Sequence, residues 1–281
     1  MFLNPMLLEK CEKPFDDDRF IYQPKIDGHR LILSRIGSDV RLYTRNELDV
    51  TRKYPELHNV PVDTADVVLD GEVARMDETG WIDFEMIMAR FRITKEPWIR
   101  EAARTSPVLY YVFDVLLYKG KDIRRWPLEE RQALLSHILT PNRYYSTVLS
   151  VEGNGTDLFN VIKSHRLEGI IAKRKDSVYV GRRSDNWLKI INYQYTDVHI
   201  AGYRKEQFGW LAHRNGQPAG IIELAVPAVK RNEFYRAAKT FVTGEDRNFV
   251  YVRPVIKARV RFRNYYKNGL LRSPEFVEFV V

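Results

Sequence analysis

The stretch "YQPKIDGHR", Tyr22 to Arg30, sets Lys25 behind a proline, two residues before Asp27-Gly28 and five before Arg30, in a segment that otherwise reads as strand. A solvated lysine needs no such neighbours. An amine acts as a nucleophile only when neutral, and an unperturbed lysine, with pKa about 10.4, is almost wholly protonated near neutral pH. Partial burial beside Pro24 and Ile26, with other cations nearby, is expected to lower that value, and Gly28 is expected to let a phosphate-bearing ligand approach the backbone. The plain alternative is a turn closed by an Asp27–Arg30 ion pair.

A second chemical pattern lies near the other end. In "IKARVRFRN", Lys257, Arg259, Arg261 and Arg263 alternate with Ala258, Val260 and Phe262, so a strand there carries four cations on one face and apolar side chains on the other. Second neighbours on a strand lie roughly 6.6 Å apart, close to the phosphate repeat of one nucleic-acid strand. A phosphate-tracking surface is expected; a charge-protected edge strand is the alternative.

These residues need a scaffold. From Arg30 the sequence alternates to Gly37-Ser38 and resumes at Val40 and Leu42, which predicts a β-hairpin. "VVLDGEVAR" (67–75) and "VLYYVFDVLLY" (108–118), rich in β-branched and aromatic residues, predict core strands. Pro127 opens a helix whose apolar stripe includes Leu128, Leu135 and Ile138, and Thr156 is expected to cap a second helix that gives way at Glu168-Gly169 to the strand "IIAKRK". Beyond about Tyr193 the character changes to short strands over 198–203, 209–213 and 221–226 and one helix over 232–242, as in a small β-barrel of the oligonucleotide-binding type.

At 281 residues the chain exceeds the usual size of one core, so a large domain over 1–192 and a small one over 193–281 are expected. Lys plus Arg outnumber Asp plus Glu by 45 to 37, a formal charge of +8 that favours polyanionic partners. The single cysteine, Cys11, excludes an intramolecular disulfide framework and a multi-cysteine metal site, and points to a reducing compartment. "MFLNPMLLEK" lacks the basic start of a signal peptide, and the longest apolar stretch, 108–118, carries Asp114 and is too short to cross a bilayer, so the cytoplasm is expected.

Six segments, "QPKIDGHR", "YTRN", "LDGE", "VFDVL", "EGIIAK" and "NWLK", occur in an order and spacing that resembles the covalent nucleotidyltransferases, specifically the small ATP-dependent DNA ligases of bacteria, phages and viruses. The resemblance spans nearly the whole chain and is clearest from Tyr22 to Asn192. It implies an α+β nucleotidyltransferase domain with antiparallel sheets and flanking helices, followed by a small OB-fold β-barrel. It also implies nick sealing in duplex DNA, with ATP and Mg²⁺ (or Mn²⁺) as cofactors and roles in repair, replication or recombination. A monomer acting on nicked double-stranded DNA away from membranes is expected.

By the same resemblance Lys25 is the residue that takes AMP from ATP, Asp27 acts in nick sealing, and Arg30 contacts the nucleotide sugar. Arg45, in "YTRN", would grip the nick 5′-phosphate. Glu72 would lie near ribose and metal, Glu168 near the metal, and Phe113 would stack on adenine. Lys173 and Lys189 would meet phosphate charge and depress the pKa of Lys25. Three features depart from the family pattern. Gln23 stands where Glu is frequent, though an amide oxygen can still accept from the adenine amino group. Lys189-Ile190-Ile191 replaces K-x-K, leaving Arg182 or Arg183 to supply charge. "LLRSPEFVEFVV" approaches a final Arg- and Lys-containing motif that the sequence does not reach, so lysine adenylylation is expected to be slow or to use another cation. The rivals are an RNA ligase, a GTP-using capping-type nucleotidyltransferase and a non-catalytic nucleic-acid-binding protein with the same fold.

Overall fold

In a computed structural model, which describes residues 1–78 and 82–280, the chain divides into two compact units, Met1–Ile190 and Ile191–Val281. The architecture is α+β, with three mainly antiparallel sheets and few helices. No helix among the described residues is long and apolar enough to cross a membrane.

The expected hairpin is present as strands His29–Ile36 and Asp39–Thr44, turning at Gly37 with φ 58°. It extends through Val67–Ala74 and Leu109–Tyr118 to the short Lys121–Asp122, with Tyr145–Thr147 running parallel to Leu109–Tyr118. Both faces of His29–Ile36 are covered. Leu31 and Leu33 join Val67, Leu69 and Val112 in one core, while Ile32 meets Val68, Phe113 and Trp187 in another. That two-sided burial explains the near-continuous apolar runs in the sequence.

The other sheet of this unit is ordered Leu7–Lys10, Arg183–Ile191, Gly169–Arg174, Asp17–Pro24, Val151–Gly153. Helix Leu128–Ile138 follows Pro127 and buries Leu128, Leu135 and Ile138 as its spacing demands. The next helix, Gly155–Ser164, begins two residues earlier than its sequence suggests, and Asn154, not Thr156, is its N-cap. Gly155 lies so close to the Tyr22 ring that a Cβ would fall 2.3 Å from it, and the Thr156 amide donates to the distant Asp16 carboxylate at 2.8 Å.

In the second unit the strand order is Gln217–Ile222, Trp210–Arg214, Gln194–Arg204, Phe249–Phe262, with both Val242–Glu245 and Glu275–Val280 on Phe249–Phe262. Leu271 donates its amide to the Ala219 carbonyl at 2.8 Å and Phe276 to that of Leu224 at 3.0 Å, which joins the two ends of the sheet into a barrel. Two elements fall earlier than expected. Asn215 and Gly216, both at positive φ, make so tight a turn that the returning strand pairs from Gln217. The helix follows Pro227 directly as Ala228–Ala238. Phe249–Phe262 is flanked on both sides, so the basic stretch is no edge strand.

Candidate active site

Antiparallel pairing of Asp17–Pro24 with Gly169–Arg174, in a register that sets Pro24 opposite Ile170, brings Lys25 and Glu168 together from 143 residues apart. The Lys25 amide donates to the Gly169 carbonyl at 2.9 Å, and its ammonium donates to Glu168 Oε2 at 2.8 Å. Both side chains are mostly enclosed, with 17% and 2% of their surface exposed.

The electrostatics of Lys25 reverse the expectation. Burial does work to lower its pKa, but Glu168, then Glu72 and Asp27, outweigh burial, and the net shift is upward. Acidic groups surround the resting amine and decide the sign of its shift. Burial lifts Glu72 to about 7, against the opposing pull of Lys25 and Arg30.

Gly28 also has a use within the fold itself. A Cβ there would fall 2.1 Å from the Val73 carbonyl oxygen and 3.0 Å from Glu72 Cγ, so glycine lets the Lys25 loop lie against strand Val67–Ala74. Ladder pairing then sets Arg30 opposite Glu72.

Arg30 does not close a turn with Asp27. Its guanidinium forks onto Asp70 at 2.9 and 2.5 Å and donates to the Met6 carbonyl at 2.7 Å. Tyr179 donates its hydroxyl to the same Asp70 at 2.7 Å. The Arg30 guanidinium carbon lies 5.3 Å from the centre of the Phe113 ring and 5.9 Å from that of Trp187. Lys173 Nζ stands 4.2 and 4.1 Å from the same two rings. Burial brings Lys173 down to about 7, despite Asp114 and Asp70. Phe113 itself is 8% exposed and belongs to a core cluster, so its ring is already packed by cations and Trp187.

Gln23 is buried and donates its amide nitrogen to Ser150 Oγ at 2.8 Å and to Gln132 Oε1 at 3.4 Å. Lys189 lies on the Arg183–Ile191 strand opposite Lys10, and Arg183 is engaged with the Leu8 carbonyl. Arg45 is exposed just past the Asp39–Thr44 strand.

The basic strand is not a row of bare cations. Asp197, from the neighbouring strand, binds Lys257 at 3.0 Å and Arg259 at 2.9 Å, and Glu278 lies 3.9 Å from Arg259. Arg261 pairs with Glu275 at 2.8 Å and lies over the Tyr193 ring. Ala258, Val260 and Phe262 are buried, as alternation requires. The pairing acids lie far away in sequence, which is why the stripe alone overstated the free charge.

Several residues of the site escaped sequence reading. Asp70 lies inside "LDGE" with nothing local to mark its pairing with Arg30, Asp114 reads in sequence only as a charge breaking an apolar run, and Tyr179 and Ser150 give no local signal. Arg131 did give one, because it occupies an apolar-stripe position between Leu128 and Leu135. It forks onto Asp114 at 2.8 and 2.9 Å, with both side chains fully buried.

A family model described as the ATP dependent DNA ligase domain matches residues 5–190. The chain is 37% identical over 278 residues to the SPbeta prophage-derived DNA ligase-like protein LigB of Bacillus subtilis, covering 98% of each. It is 24% identical to the multifunctional non-homologous end joining protein LigD of Mycolicibacterium smegmatis over 97% of this chain and 37% of that one. Among solved structures, mycobacterial DNA ligase D complexed with ATP and MES superposes with TM-score 0.60 and 26% identity, covering 99% of this chain and 95% of the other. A Lig E DNA ligase shares the fold with TM-score 0.71 and 15% identity, each chain fully covered. The chain belongs to the ATP-dependent DNA ligase family.

Proposed function

We propose that this chain seals nicks in duplex DNA, with Lys25 as the residue that carries AMP. The observation that carries the reading is the placement of Lys25 on Glu168, with Glu72 and Asp27 in electrostatic reach and an Arg30–Phe113–Lys173 wall beside the Gly169–Arg174 strand. Once deprotonated, Lys25 Nζ attacks the α-phosphorus of ATP. A nitrogen–phosphorus bond forms as the bond to the pyrophosphate oxygen breaks. The 5′-phosphate of a nick then takes AMP from Lys25, and the adjoining 3′-hydroxyl displaces AMP, losing its proton as the phosphodiester closes. Each step is phosphoryl transfer, in which positioning and charge neutralisation dominate.

Arg30 is held rigid by Asp70 and Met6, so it can meet a nucleotide without losing much freedom. Phe113 and Gln23 would contact the base, Lys173 and Lys189 the phosphates, and Asp27 the sealing step. Arg45, on the surface, would take the nick 5′-phosphate, and the face bearing Lys257, Arg259, Arg261 and Arg263 would follow the DNA backbone. Among the described residues no three His, Cys, Asp or Glu side chains gather to cage an ion. Two carboxylates, Glu72 and Glu168, still suit Mg²⁺, which keeps water and phosphate oxygens as most of its ligands. Bound there, Mg²⁺ would add positive charge beside the reacting phosphate. We read the small unit as the OB-fold domain, the large one as the adenylation domain, and the protein as a cytoplasmic monomer.

Mass spectrometry of the intact protein after incubation with ATP and Mg²⁺ tests this reading. Gain of one adenylate, absent in Lys25→Ala, is expected; no gain in the wild-type protein refutes it. Label passing from the adenylylated protein to nicked DNA, and not to nicked RNA, separates a DNA ligase from an RNA ligase. GTP in place of ATP tests the capping-type alternative.

A further inference from the structure

Phe113 interrupts the ladder between strands Val67–Ala74 and Leu109–Tyr118. Gly71 pairs with Val112 and Asp70 with Asp114, so Phe113 is the extra residue of a bulge. Its carbonyl turns to side chains instead, accepting from Gln132 Nε2 at 2.7 Å and from Lys173 Nζ at 3.4 Å.

A carbonyl oxygen can only accept. Gln132 must therefore present its nitrogen to Phe113, which leaves its own oxygen facing Gln23 at 3.4 Å. Gln23 must answer with its nitrogen, which also reaches Ser150 Oγ at 2.8 Å. The Gln23 carbonyl oxygen then remains to receive a donor from a ligand. Helix Leu128–Ile138 supplies Gln132, and the buried Arg131–Asp114 pair fixes that helix against the strand carrying Phe113.

We infer that Gln132 is a positioning residue for base selection. The bulged carbonyl of Phe113 fixes the orientation of its amide, which in turn fixes that of Gln23, so the site offers an acceptor to an exocyclic amino group at C6 of a purine. Adenine supplies that donor, whereas guanine presents an oxygen acceptor there. The inference rests on the reading of Gln23 and Phe113 as base contacts. It assigns to a neutral, otherwise unremarkable helix residue the discrimination that a carboxylate at position 23 would achieve unaided, since a carboxylate accepts in either orientation.

The test is the ratio of kcat/KM for ATP over GTP in lysine nucleotidylation, read by intact mass. Gln132→Met keeps the bulk and removes both polar ends. The ratio is expected to fall by about two- to tenfold, the range that one ordinary hydrogen bond supports. In Gln23→Glu/Gln132→Met the ratio should return to that of Gln23→Glu alone, because the introduced carboxylate needs no orientation. A general packing defect would instead lower both nucleotides together and persist in the double variant. If the wild type adds AMP but Gln132→Met keeps its ATP:GTP ratio, the relay is overturned. The same holds if the double variant does not recover. Failure of the wild type to take any nucleotide overturns the ligase reading, a separate outcome. Should Gln132→Met melt below the assay temperature, Ser150→Ala, which removes the second acceptor from the Gln23 nitrogen, is expected to lower the ratio in the same direction, and no change there overturns the relay.

Discussion

Replacing Glu168 with glutamine should make Lys25 more reactive as a simple amine and less reactive towards ATP. In the resting protein the ammonium lies 2.8 Å from the Glu168 carboxylate. With an effective dielectric near 20, a charge pair at that separation is worth on the order of 6 kcal/mol. Only part of this will appear, because Glu72 and Asp27 still favour the ammonium and an amide oxygen can replace one hydrogen bond. We expect the Lys25 pKa to fall and its neutral fraction at pH 8 to rise, because the largest of the groups raising it is gone. Competitive acetylation across a pH series, with the Lys25 peptide quantified by mass spectrometry against a free amine, reads this directly. Adenylylation by ATP and Mg²⁺ should slow in the same variant, since a neutral amide holds a divalent cation poorly. A Lys25 titration that stays in place or moves upward refutes the view that Glu168 stores the nucleophile in its protonated form.

Glu72 gives a pH-dependent signature. Its folded value of about 7 lies above that of the unfolded chain, so its contribution to stability is full below the unfolded value near 4.5 and is lost as pH rises through 7. Glu72→Gln should therefore melt higher than wild type at pH 8, with the gap closing towards pH 5; a gap that is constant or widens in acid contradicts this. Breaking the buried Arg131–Asp114 pair by Arg131→Met should cost about 3–5 kcal/mol in denaturant unfolding, with much of it recovered in Arg131→Met/Asp114→Leu; a cost below 1 kcal/mol would mean that the pair is no better than a surface one. Asp197→Asn should release Lys257 and Arg259, steepening the log–log salt dependence of DNA binding by about one to two. An unchanged slope would remove that face from the DNA contact.

Much of the scaffold is legible because strands repeat every two residues and helices every 3.6. The hairpin at Gly37, the strand 109–118 and the helix opening at Pro127 follow from such local rules. Elements displaced from their expected positions have non-local or turn-specific causes. Gly155 starts its helix early because it packs on Tyr22, and Asn215-Gly216 returns the chain sooner than hydrophobicity alone suggests. The ordered motifs pick out Lys25, Glu72, Phe113 and Glu168, which the fold does gather. Their partners stay hidden when they arrive from other strands, as Asp70 does for Arg30 and Asp197 for Arg259. Charge written along one strand gives no account of the charge facing it.

Lys25 and Lys173 make the same point about chemistry. Lys173 lies in one of two strands paired in a sheet and Lys25 directly follows the other; both are enclosed, and burial works to lower the pKa of each. Lys25 has Glu168 at salt-bridge distance and ends above its ordinary value. Lys173 has two aromatic rings and a carbonyl as its nearest described partners, with its carboxylates acting from farther away, and falls to about 7. A buried ammonium without a partner costs several kcal/mol, so a resting fold that held Lys25 neutral would forgo the ion pair that lets the loop close. Pairing with Glu168 keeps the amine protonated in the resting fold. If Lys25 is the nucleophile proposed above, the barrier to its first step includes separating it from Glu168, and its reactivity is set as much by what competes for that carboxylate as by its own burial.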